Sequence, residues 1–182
     1  YASNSIGLSG GIIKLKSSNT TICDCHFINN SIFSYTGNGN GNDGGIIHIE
    51  SSNSSLINCL FSLNYINSNS GNGNGNNGGI IHIESSNSSL LNCLFSLNYI
   101  NTYSANGNYH AGGIFYIESS NSSLTNNSFL SNSISSNGGN GNSLDGGIIK
   151  ISTVRRYIED SFKSNVAFKK CLFNNNTFSS NS

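Results

Sequence analysis

The sequence predicts an all-β fold, a parallel β-helix of five coils, on two observations. Glycine pairs at Gly10-Gly11, Gly44-Gly45, Gly78-Gly79, Gly112-Gly113 and Gly146-Gly147 recur at an unbroken interval of 34 residues. A Phe-x-x-Asn element follows each pair at Phe27/Asn30, Phe61/Asn64, Phe95/Asn98, Phe129/Asn132 and, after an insertion, Phe173/Asn176. Self-similarity at a fixed period of this size marks a solenoid, whose units bury their apolar faces only by stacking on one another. One domain, 1–182, is expected, because the composition does not change along the chain.

Each repeat reads as strands separated by turns. In the second, Ile47 and Ile49 alternate with His48 and Glu50, and their counterparts Ile13 and Leu15, Ile81 and Ile83, Phe115 and Ile117, and Ile149 and Ile151 supply filling to every coil. A Ser/Asn turn precedes the run Leu56–Phe61, and a Gly/Asn-rich tract closes the repeat. Three strands per coil follow, near 45–50, 55–61 and 64–67, each pairing with its equivalent one coil away at about 4.8 Å. A stack of α-hairpins fails on the Gly-Gly pair and the Ser/Asn content of every unit. The fifth repeat is longer by ten residues, placed as a loop over Thr153–Asn165 that carries Arg155, Arg156, Glu159 and Asp160. The tracts Gly37–Asp43, Gly71–Asn77, Asn106–Ala111 and Gly138–Asp145 read as flexible loops.

Composition narrows the partners. Charged residues make up 9% and formal net charge is zero, so nucleic acid and a polybasic membrane contact are not expected. No apolar run approaches the roughly 18 residues of a membrane span, and no membrane insertion is expected. The chain opens on Tyr1 without a methionine or a leader and is read as a processed or partial segment of a longer product.

Several positions repeat in columns. Asn30, Asn64, Asn98, Asn132 and Asn176 are expected to form an inward ladder, each amide bonding its own backbone and the asparagine of the next coil. Cys25, Cys59, Cys93 and Cys171 share one position, with Asn127 in the fourth repeat, and read as buried thiols, one disulfide between adjacent coils being the alternative. His48 and Glu50 are placed on an outward face with His82, Glu84, Tyr116 and Glu118. These residues are read as pairing with each other and with water, a divalent ion being the alternative; no metal and no cofactor are expected. No converging acids or nucleophile-base set is found, so no enzyme is expected.

Acceptor sequons occupy one turn of four repeats, at Asn19, Asn53, Asn87 and Asn121, and scattered ones at Asn29, Asn126 and Asn175. In a secreted protein the repeated set would place N-linked glycans in a line along the coil.

Gly-Gly-Ile-Ile followed by Phe-x-x-Asn resembles the GGAI/FxxN repeats of the polymorphic outer membrane protein family and related eukaryotic surface proteins, across all five repeats. This chain reads Gly-Gly-Ile where the family favours Gly-Gly-Ala. The resemblance implies a right-handed β-helix displayed outside the cell as an adhesive or structural surface protein. With no polar cap at either end, the partial coil after Asn176 complements the one before Gly10. Stacking coil five on coil one brings Lys170 beside Asp24, which share the Asn58 position, against a like-charge contact of Lys14 with Lys150. The expectation is thus an extracellular, cell-surface structural protein that polymerises head to tail with itself. Alternatives are an adhesin segment binding through its exposed loops and a carbohydrate-active β-helix.

Overall fold

A computed structural model of the chain describes residues 11–36, 45–70, 79–104, 110–111, 113–118, 120–138, 144–145, 147–152 and 165–181. Within them the chain is a right-handed parallel β-helix. A coil contains four strands rather than three, represented in the second repeat by Ile47–Glu50, Ser55–Ile57, Leu60–Ser62 and Tyr65–Ser70. Each belongs to a five-stranded, all-parallel sheet, called the first to fourth sheets in that order.

The extra strand arises because the run 55–61 breaks at Asn58, whose φ of 54° turns the chain through the left-handed region. The same device makes three corners of the coil among the described residues. Ser17, Ser51 and Ser85 turn the first sheet into the second; Asp24, Asn58, Asn92, Asn126 and Lys170 turn the second into the third; Asn29, Leu63, Leu97, Ser131 and Asn175 turn the third into the fourth. Mostly Ser, Asn and Asp, these short polar residues tolerate positive φ best among non-glycines.

Register is one repeat throughout: Ile47 opposes Ile81, Leu90 opposes Leu56 and Phe95 opposes Phe61. In the fifth coil the first sheet keeps it, with Phe115 opposite Ile149, whereas Leu124 opposes Phe168 and Phe129 opposes Phe173. The ten additional residues therefore lie between Ser152 and Asn165. Asn165 is not part of the loop; it opens the strand Asn165–Lys169 and pairs with Asn121. Arg155, Arg156, Glu159 and Asp160 fall outside the described residues.

Inside, Ile47, Ile49, Leu56, Phe61, Ile80, Ile81, Ile83 and Phe95 are completely buried. Phe27, Phe61, Phe95, Phe129 and Phe173 stack at centroid spacings of 4.6–5.1 Å with planes within 9° of parallel. The second glycine of the first four pairs has a steric reason, which Gly147 lacks. A Cβ on Gly45 would collide with the Gly79 carbonyl oxygen and with Ile66 Cδ1, so only glycine lets the fourth sheet's isoleucine pack beneath the start of the first. Just after it, Ile46 and Ile47 both donate their N–H to Ile80 O at 3.0 Å, a bulge that buries two consecutive isoleucines.

Parts of two Gly/Asn tracts carry order the sequence does not signal. His110–Ala111 pairs in parallel with Leu144–Asp145 as a separate two-stranded sheet. The tracts at 37–43 and 71–77 lie outside the described residues.

Candidate functional site

Side-chain columns of three kinds run along the axis: inward ladders at the corners, outward asparagine columns, and a histidine column within the first sheet. The first is the amide ladder. Asn98 donates Nδ2–H to Asn132 Oδ1 and to Phe61 O, both at 2.9 Å, and its backbone N–H reaches the same Oδ1 at 3.1 Å. Asn64 makes the same three bonds one coil earlier, and Asn30 and Asn132 donate to the amide oxygens of Asn64 and Asn176. One carboxamide thus satisfies two backbone groups of the preceding coil, Phe61 O and Asn64 N–H for Asn98, and donates to the amide of the next, which is structural work inside the coil.

Two further inward columns repeat this logic at the other corners. Ser52 N–H donates to Ser86 Oγ and Ser86 N–H to Ser120 Oγ, both at 3.1 Å. Where the cysteine column is interrupted, Asn127 Oδ1 accepts from Cys93 N–H at 2.8 Å and its Nδ2 donates to Leu90 O at 3.0 Å. The serine ladder has a legible signal, the Ser-Ser pair after each glutamate of repeats two to four, but it reads as turn chemistry until the positive φ of Ser51 and Ser85 aims Ser52 and Ser86 inward. All five cysteines are free thiols; Cys59 and Cys93 are buried and Cys23 is exposed.

On the outer face of the second sheet lies a shallow groove of about 420 Å³, floored by Asn53, Ser55, Asn87, Ser89, Asn121 and Asn165. Asn87 and Asn121 are in-register partners, so successive sequon asparagines sit one strand spacing apart. Asn19, Asn53, Asn87 and Asn121 are all exposed, as are Asn29, Asn126 and Asn175. Asn165 Nδ2 donates to Asn121 Oδ1 at 3.1 Å, while Asn126 Nδ2 is engaged with Asn92 Oδ1 at 2.8 Å. That second bond belongs to an outer corner column running Asp24, Asn58, Asn92, Asn126: Asn58 Nδ2 donates to Asp24 Oδ1 at 2.9 Å and Asn92 Nδ2 to Asn58 Oδ1 at 3.1 Å. Lys170 occupies the corresponding corner of the fifth coil with φ 54°.

The third column corrects the sequence reading. Lys14, His48, His82, Tyr116 and Lys150 share one register position, as do Lys16, Glu50, Glu84, Glu118 and Ser152. His48 and His82 are not outward and wet; they are 2% and 1% exposed, and Tyr116 is buried beside them. Stacking explains part of this. The imidazoles lie face to face at 4.6 Å with planes 8° apart, and the Tyr116 ring caps His82 at 4.9 Å. At the open end of the column Glu50 takes Lys16 at 2.7 Å and Lys14 at 3.3 Å, and the Lys16 hydrogen bond holds its carboxyl below the usual range. Burial, and then the Lys14 charge, push His48 down to about 4; burial, and then His48, push His82 down to about 3. Both rings are therefore neutral at pH 7. Among the described residues none of their four nitrogens has a hydrogen-bond partner. His48 Nε2 lies 3.9 Å from Glu84 Oε2, and one donor atom from each of His48, His82 and Glu84 falls within 4.8 Å of the others.

No protein-family model matches the chain, and no curated protein matches it.

Proposed function

We propose that the chain is an extracellular structural protein that stacks on copies of itself, fifth coil to first, into an N-glycosylated fibre. The observation that carries this reading is translational self-complementarity. Every described coil offers its neighbour the same ladder of Phe rings, amides and backbone groups, so the face that ends one stack fits the face that begins another. Phe168, Phe173 and Phe178 of the fifth coil are about half exposed, whereas their equivalents Leu124, Phe129 and Ile134 are buried beneath them. One more coil of the same kind would cover them. At such a junction Lys170 continues the corner column toward Asp24, supplying a cation where the column begins with a carboxylate.

The coat follows from the groove: exposed sequons in register would carry sugars along one edge. The resemblance of Gly-Gly-Ile and Phe-x-x-Asn to repeats of polymorphic outer membrane proteins and related eukaryotic surface proteins supports the same location outside the cell. An adhesin would use the Gly/Asn tracts, which lie largely outside the described residues.

Electron microscopy of the protein from its native source, followed by helical reconstruction, tests the fibre. Five coils at about 4.8 Å give an axial repeat on the order of 24 Å, with strands parallel across the junction. Isolated rods, side-by-side contacts or antiparallel strands at the junction would refute it.

A further inference from the structure

We propose that His48, His82 and Glu84 bind a divalent transition-metal ion of the zinc class, tying the second coil to the third. Three observations meet at this point. The donor set is two imidazoles and a carboxylate, which suits Zn²⁺ and its neighbours, whereas Ca²⁺ and Mg²⁺ demand a shell of oxygens. The donor atoms lie within 4.8 Å of one another. Finally, four buried ring nitrogens carry no hydrogen bond among the described residues, a costly arrangement that calls for a ligand.

The neighbouring repeat shows what this diagonal accepts. Glu50 reaches back one coil to the Lys14 ammonium at 3.3 Å, and Glu84 stands in the same relation to His48, which replaces Lys14 in register. Where one repeat places an ammonium against its glutamate, the next places an imidazole at the same register position.

The geometry also states what must move. Near-parallel rings aim their lone pairs side by side, and tetrahedral bonds of about 2.0–2.1 Å bring donor atoms to roughly 3.4 Å apart. Each ring must therefore turn about its Cβ–Cγ bond and close in by about an ångström. The Glu84 side chain, 25% exposed, leaves the remaining coordination position open to water.

The test uses the full chain stripped with EDTA and titrated with Co²⁺, then Zn²⁺, at neutral pH. The expected result is about one Co²⁺ per chain with visible d–d bands, no thiolate-to-cobalt charge transfer, and displacement by Zn²⁺. His82→Phe and Glu84→Gln should each weaken binding at least about tenfold, the loss that even supporting residues cause elsewhere. Phenylalanine suits the column because Tyr116 already places an aromatic ring there; if His82→Phe fails to give a β-sheet circular dichroism spectrum, the partly exposed Glu84→Gln decides alone. Absence of Co²⁺ uptake at about 0.1 mM would overturn the site, as would unchanged affinity in the folded variants. A thiolate band would assign the ion to the cysteines instead and overturn it equally. Fibre formation is a separate readout, so loss of either result leaves the other interpretable.

Discussion

Leu97 sits at a corner with φ 54° and a side chain more than half exposed, a position that Asn29 and Asn175 fill in the first and fifth coils. Leucine there carries the left-handed penalty without the compensation of burial. Leu97→Asn is expected to stabilise the fold by about 0.5–1 kcal/mol, read as a rise in the denaturation midpoint with an unchanged slope. A second residue-scale expectation concerns the thiols. Burial pushes Cys93 up to about 11 and raises Cys59, so at pH 8 the Cys93 thiolate fraction is on the order of one in a thousand. Because the thiol form dominates below the raised pKa, reactivity should climb with pH and stay low through pH 9. Mass spectrometry after brief treatment of the native chain with an aromatic disulfide reagent should find Cys23 labelled, with Cys59 and Cys93 modified only after unfolding. Equal labelling of all three in the native state would contradict the placement of the column inside the barrel.

At the scale of the element, the asparagine ladder is the clearest case of one side chain serving two strands. Replacing Asn98 with Leu leaves Phe61 O and Asn64 N–H buried without their partners, and the melting curve should show a loss of about 1–3 kcal/mol. An unchanged midpoint would show those groups to be satisfied elsewhere. The ladder was legible from sequence because its position holds through the insertion: Asn176 keeps its offset from Phe173 although the chain has gained ten residues. The number of strands was not. Leu56–Phe61 reads as one strand by apolar content, and a lone Asn58 inside an apolar run permits a positive φ without requiring one. The histidines were misplaced for a related reason. Period-two alternation correctly sets His48 opposite to Ile47 and Ile49 but assumes that the opposite face meets water. Alternation has no term for ring-on-ring stacking along the axis, which depends on the same position one coil away.

At the scale of the molecule, the glycan coat is the most exposed part of the reading. Intact glycopeptide analysis of native material should find sugars at Asn53, Asn87 and Asn121, and at Asn19. Unmodified peptides at all four would remove the coat and with it the main chemical support for secretion. Attached one strand spacing apart, such glycans would crowd from their first residue, and the groove would leave them a single direction of exit, away from the sheet.

The in-register stacking of the second and third coils has a consequence for how the chain finds its own partner. From Gly44 to Asn67 and from Gly78 to Asn101 the two segments differ only at Ile57 and Leu91. During folding, the fourth coil therefore meets two nearly interchangeable docking sites. Side-chain identity cannot distinguish them; only the burial lost when a whole coil is skipped favours the native order. The marks that break the symmetry sit at the margins, with Lys14 and Asp24 on one side and Tyr116 and Asn127 on the other. A polymer of such units would inherit the same ambiguity at every junction. Its fidelity would rest on those few odd residues, not on the repeats that make up most of its length.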